Sequence, residues 1–395
     1  MKIEKLSFSG HPILGDMELD FTGPEGKPLD TIVLAGVNGS GKTTMLELIR
    51  EIMLGRFPDY RLILSISHIP ELGLGNIEFI RSNDTSPGLY QFRGLEGIEK
   101  IDVKRRPRVV YMPTEINFNE LQTQSLSFTW EYQAINTIDR KLIENIPSFI
   151  ASLINGEVFA NPDLPAKQAI DKVCLEINTL FDILEIDALL IGLEPTGKLP
   201  LFVNSAGNTF DINHLSSGEK QVFVRALALK MVQANNSIIL IDEPEISLHP
   251  RWQQRIMKVY ERIGENNQVI AATHSPHVVS SVRKESVKLL KRRNGRIEVV
   301  DYKNIDGSLG LPVDIVLQAL MELDSTRDPE VQEDLTSLWD MVHSRSFESD
   351  EFKRLYGKLE ELLGTEDEDL LLMRIEIAKL KANTEKAHAG DQKGR

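Results

Sequence analysis

The segment TIVLAGVNGSGKTTMLELIREIML, residues 31–54, constrains the fold more than any other part of the chain. A short β-branched apolar run enters a glycine-rich loop, and apolar residues at helical spacing follow at once. Strand, loop and helix in that order are the unit from which a parallel sheet covered by helices is built, so the fold class is α/β. The loop itself, GVNGSGKT from Gly36 to Thr43, matches in full the spacing that wraps a phosphate. Its glycines let backbone N–H groups point inward at the positive end of the following helix. Lys42 supplies a mobile charge for β- and γ-phosphates, and the Thr43 hydroxyl is suited to ligate Mg²⁺.

Two further apolar runs end in reactive groups. SIILIDEPE places Asp242 at a strand end, where a carboxylate can hold Mg²⁺ or its water, and Glu243 next to it, suited to orient or deprotonate an attacking water. The pair points to hydrolysis of ATP and not to its storage. QVIAATHSPH puts His274 at the end of another such run, where a neutral imidazole can sense or donate to the γ-phosphate. His249 and His277 read as satisfied turn residues. HLSSGEKQ, residues 214–221, taken alone is only a helix start with small residues at its cap.

Composition narrows the classes. The 395 residues suit one large α/β domain or two cooperating lobes, and Cys174, the only cysteine, excludes an internal disulfide. No Cys/His cluster offers zinc ligands at motif spacing. The chain opens MKIEKLSF, without an apolar leader or a spanning run, so a cytoplasmic protein with no membrane association is expected. A net charge of −14 does not attract DNA overall, although KRRPR at 104–108 and the group Lys288, Lys291, Arg292, Arg293 and Arg296 are local basic patches.

Along the chain, the expected divisions are 1–120, the first part of a nucleotide-binding head; 121–195, an inserted helical lobe; 196–305, the second part of the head; and 306–395, an acidic helical extension. Residues 127–193 read as mostly helical. VKLLKRRNGRIEVVDY reads as a hairpin, and TEDED at 365–369 as solvated surface.

GVNGSGKTT, LSSGEKQ, IILIDEPEISLHP and the ATH around His274, in this order, resemble the ATP-binding-cassette (ABC) ATPases of the DNA-repair and chromosome-maintenance branch. The likeness is strongest to compact AAA-labelled cassettes related to RecF and the OLD family, many encoded in bacterial antiphage systems, and it spans about residues 1–300. The resemblance implies a P-loop NTPase fold of ABC-ATPase type with ATP and Mg²⁺. It assigns Gly36, Asn38, Gly39, Ser40, Gly41, Lys42, Thr43 and Thr44 to the phosphate loop, Thr43 and Asp242 to the metal, Glu243 to the general base and His274 to the switch histidine. Ser216, Ser217, Gly218 and Glu219 fall in the signature loop, which binds the γ-phosphate held by an opposite subunit, so a head-to-tail homodimer around two ATP molecules is implied, open to higher assembly. Ser247 to His249 match the loop that crosses to the partner. Gln91 is the glutamine best placed in sequence to contact Mg²⁺.

The departures from the family also carry expectations. Long hinge arms are absent, so a full chromosome-structure protein is not expected, and no Toprim-like acid cluster follows His274, so the chain is not expected to cut DNA itself. The first reading is therefore an ATPase that senses and regulates a separate effector protein in antiviral defence. The alternative is a RecF-like repair ATPase that clamps DNA through the basic patches.

Overall fold

The computed structural model describes residues 1–54, 56, 61–67, 77–81, 102–116, 120–197, 199–293, 295–300, 302–304 and 306–391. The chain divides into two compact units, Met1–Met321 and Glu322–Arg395.

The centre of the first unit is a seven-stranded sheet in the order Arg296–Val300, Val287–Arg293, Thr31–Ala35, Gln268–Thr273, Ile238–Asp242, Val109–Met112, Ile135–Thr137. All neighbours pair in parallel except the edge hairpin Val287–Val300. Strands Thr31–Ala35, Ile238–Asp242 and Gln268–Thr273 are buried at every residue, as expected of a parallel sheet covered on both faces. The pleat divides their side chains between two cores. Ile32, Leu34, Leu240, Ile270 and Ala272 face the helix Lys42–Met53 and a four-stranded antiparallel sheet that carries Ile3, Leu6, Leu19 and Leu64. Val33, Ala35, Ile239, Ile241 and Ala271 face the helix Ser217–Met231 and the helical region before it.

That helical region differs in detail from its sequence reading. The helices Arg140–Glu144, Ile146–Ala160 and Ala166–Asn178 bury Ile143, Ile146, Ile150, Ile154, Val173 and Ile177 in the same core as Ser217–Met231. The helical stretch starts only at Arg140, where Asp139 accepts a hydrogen bond from Leu142 N at 2.8 Å. Before it, Ile135–Thr137 completes the central sheet. After it, Leu189–Leu193, Pro200–Val203 and Thr209–Asp211 form a small antiparallel sheet that leads into Ser217–Met231.

The second unit holds the helices Pro329–His343, Asp350–Leu363 and Glu368–Asp391 around Leu335, Leu338, Val342, Phe352, Leu359, Leu370 and Met373. It begins C-terminal to the expected boundary at 306, because Val316, Leu320 and Met321 are buried in the core of the first unit. The TEDED stretch is more than solvated surface. Asp367 accepts from Asp369 N at 3.1 Å at the start of the last helix, and Arg327 donates to Asp367 at 2.9 Å. No described helix is long and apolar enough to cross a membrane.

Candidate nucleotide site

Parallel register brings the three reactive strand ends to one level. Asp242 pairs with Ala272, and Thr273 pairs with Ala35, so the phosphate loop, Glu243 and His274 all leave the sheet at the same edge. In an open α/β sheet, the carboxyl ends of the strands are where ligands bind.

The loop geometry demands its glycines. A Cβ on Gly36 would lie 2.4 Å from Leu290 O, and one on Gly41, at φ 88°, would lie 2.4 Å from Leu14 Cδ2. Gly41 caps the helix Lys42–Met53 without any side-chain hydrogen bond, and the first turn of a helix is where an anion is favoured. Lys42 Nζ folds over the loop and donates to Gly36 O at 2.9 Å and Val37 O at 3.1 Å. Burial lowers the pKa of this ammonium, while Glu243, Asp242 and Glu245 oppose the shift. Asn38 and Gly39 form the exposed crest, Ser40 is fully buried with an unpartnered Oγ, and Thr43 and Thr44 open the helix.

Asp242 gathers hydroxyls. Thr43 Oγ1 donates to its two carboxylate oxygens at 3.0 and 3.1 Å, and Thr114 Oγ1 donates to Oδ2 at 2.7 Å. Burial raises the Asp242 pKa, and the two threonine hydrogen bonds hold it back. Hard oxygen donors so clustered beside a phosphate loop fit Mg²⁺. Gln91 lies outside the described residues.

Glu243 adopts a left-handed φ of 50°, which costs a non-glycine residue about 1–3 kcal/mol. Its N–H donates to Ala272 O at 2.9 Å, and its Oε2 lies 2.5 Å from His274 Nδ1. The strained turn thus delivers the carboxylate to the imidazole, which remains half exposed.

Glu245 was not singled out from the sequence and proves central. It is only 5% exposed, and its Oε1 accepts from Thr273 Oγ1 at 2.5 Å and from His274 N and Ser275 N at 3.1 Å. Burial pushes its carboxyl up to about 7, with Glu243 adding to the rise and the Thr273 hydrogen bond opposing it. Thr114 was also missed. It follows the buried strand Val109–Met112, so the rule that singled out Asp242 and His274, a polar group just past a buried apolar run, applies to it too.

HLSSGEKQ forms a reciprocal cap. Ser216 N donates to the Glu219 carboxylate at 2.9 Å, and Glu219 N donates to Ser216 Oγ at 3.3 Å. Ser216 and Ser217 are exposed and Gly218 is buried. A Cβ on Gly218 would lie 2.9 Å from Ser247 O and 3.2 Å from the Trp252 ring. Among the described residues, no hydrogen bond or ion pair joins residues 216–219 to the phosphate loop. His249 Nδ1 caps the helix Pro250–Gln253 by accepting from Arg251 N at 3.2 Å.

The basic patches are depleted by folding. Arg108 is 1% exposed, donates to Gln233 O at 2.6 Å and stacks over Tyr132 at 4.9 Å. Lys288 is 2% exposed. Each patch thereby loses one cation to the interior.

Residues 32–280, more than half of the chain, match the family described as "AAA domain, putative AbiEii toxin, Type IV TA system". The chain belongs to this AAA family. Among curated proteins, this AAA chain is 31% identical over 194 residues to "Retron Ec83 probable ATPase" of Escherichia coli, covering 46% of the chain and 34% of that protein. It is 24% identical over 336 residues to "Septu protein PtuA" of Bacillus mycoides, covering 78% of the chain and 44% of that protein. The AAA chain thus spans less than half the length of both curated relatives. Among solved structures, "Crystal structure of the SmcHead bound to the C-winged helix domain of ScpA" aligns with a TM-score of 0.47 at 14% identity, covering 76% of this chain and 98% of that one.

Proposed function

We propose that the protein is an ATP-hydrolysing ABC-type ATPase that closes as a head-to-tail homodimer around two ATP molecules. The observation that carries this reading is the convergence of Lys42, Thr43, Asp242, Glu243 and His274 at one edge of the sheet. In it, the phosphate-loop amides from Gly36 to Thr44 and Lys42 hold the β- and γ-phosphates. Thr43 and Asp242, and in this reading Gln91, hold Mg²⁺, which when bound offsets phosphate charge. Glu243 orients and deprotonates water, and His274 steadies the γ-phosphate as charge develops. Ser216, Ser217, Gly218 and Glu219 are capped and oriented within their own chain, which suits a helix N-terminus presented to the phosphate of a partner subunit.

The output is a conformational cycle, and the reading extends to a sensor and regulator of a separate effector in antiviral defence, within the RecF/OLD-like branch. Retron and Septu relatives support this over the DNA-clamp alternative, as does the burial of Arg108 and Lys288. Steady-state ATP turnover with and without linear duplex DNA tests it. Turnover indifferent to DNA and abolished by Lys42→Ala is expected, with Glu243→Gln slowed about 100-fold or more while an ATP-held dimer persists. A several-fold rise with DNA that falls steeply with salt would move the clamp reading to the front.

A further inference from the structure

The hydrogen bonds around His274 continue beyond the residues that meet nucleotide. Glu245 Oε1 pins the turn Thr273–Ser275 to the loop that carries Glu243. Ser275, itself only 4% exposed, donates from Oγ to Gln253 Oε1 at 2.7 Å. Gln253 Nε2 then donates to Leu248 O at 2.9 Å. That carbonyl lies in the turn Ser247–His249, where Ser247 is held at a left-handed φ of 61°. Ser247 O and the Trp252 ring press against Gly218 closely enough to exclude a Cβ there. Direct contacts therefore run unbroken from the Glu243–His274 pair, through Ser275, Gln253 and the 247–249 turn, to the signature loop. Gln253 spans the middle of this path with both ends of one side-chain amide.

We propose that Gln253 is a positioning residue that couples the signature loop to the His274 turn of the same subunit, so that nucleotide engaged at one site of the dimer sets hydrolysis at the other. The proposal rests on the dimer reading above. In such a dimer each signature loop meets the phosphate held by the opposite subunit, while each His274 attends the phosphate of its own. A shift of Gly218 on engaging phosphate moves Ser247 O against it, because no void separates them. Gln253 passes that shift to Ser275, and Ser275 N and His274 N share the Glu245 carboxylate. The coupling is thus carried by packed groups with hydrogen bonds at both ends and needs no rearrangement of the sheet.

The test uses the full chain. Gln253→Met keeps the side-chain length and removes both hydrogen bonds. ATP turnover is followed against ATP concentration, with dimerisation measured by light scattering and Tm by thermal unfolding. Wild type is expected to give a sigmoidal curve. The variant is expected to be hyperbolic, with kcat down about tenfold, in the range of inter-site coupling, and KM within about twofold. A purely structural role would move Tm and leave the Hill coefficient alone. Where Gln253→Met lowers Tm by several degrees, Gln253→Glu decides by the same criteria, since it keeps the acceptor for Ser275 and loses the donor to Leu248 O. A hyperbolic wild-type curve, or variants as sigmoidal as wild type, overturns the proposal while leaving the ATPase dimer intact. Wild-type protein that neither turns over ATP nor dimerises overturns the dimer reading and the proposal with it.

Discussion

At the scale of single residues, the site depends on buried groups whose protonation and shape are set by their neighbours. Glu245 has a folded pKa of about 7, above the ordinary glutamate value of 4.5. Between those values the folded protein holds a proton that the unfolded chain has released. Its stabilising contribution is therefore full below about pH 4.5 and is lost as pH rises through about 7. Glu245→Gln keeps the acceptor for Thr273 and removes the titration. Without nucleotide, the Tm of wild type relative to Glu245→Gln should fall between pH 5 and pH 8. A difference that stays constant with pH would show that Glu245 is ionised throughout. Gly218 is held by shape instead of charge. Gly218→Ala sets a methyl group against Ser247 O and the Trp252 ring and should cost about 1–3 kcal/mol, read as a lower Tm even in the absence of ATP.

At the scale of elements, position in the sheet decides what a charged residue can do. KRRPR looks like one patch in sequence, yet Arg108 immediately precedes a buried strand and its guanidinium closes over Gln233 O and Tyr132, while Lys104 and Arg105 stay exposed. Arg108→Ala removes a buried donor that Gln233 O, Arg106 O and the Tyr132 ring have organised around. It should destabilise the head by about 1–3 kcal/mol in denaturant unfolding, with no change in the salt dependence of any DNA affinity. Lowered DNA affinity at unchanged stability would return Arg108 to the surface reading. The strands that bear Asp242 and His274 were legible because a parallel sheet covered on both faces leaves no polar position until the strand ends. The strand Ile135–Thr137 was not legible. Three residues carry too little periodicity, and their strand state depends on pairing with Val109–Tyr111.

At the scale of the molecule, the two units have separate apolar cores, and every described residue of the proposed nucleotide site precedes Met321. A chain ending at Met321 is expected to fold and to retain ATP turnover within about twofold. Loss of turnover in a truncated protein that still unfolds cooperatively would show that the C-terminal helices contribute to the catalytic cycle. The helical character of this acidic extension was readable from its composition, while the caps at Asp328 and Ser349 were found only in the fold. The boundary was not readable, because Val316, Leu320 and Met321 belong to a core assembled from distant segments.

The amino-acid order alone singled out the glycine-rich loop, the Asp242–Glu243 pair and His274 as the proposed nucleotide site. Each is a local signal, an apolar strand followed at once by the group that the proposed chemistry needs. Tertiary structure decided which of these groups share an edge, because strand order and register lie outside any local window. It also made Glu245 the acceptor for the His274 turn and Thr114 a hydrogen-bond donor to Asp242, joining segments 28 and 128 residues apart. It withdrew Arg108 and Lys288 from the surface. The burial of a cation and long-range hydrogen bonding are properties of the packed chain, and no spacing in the sequence encodes them.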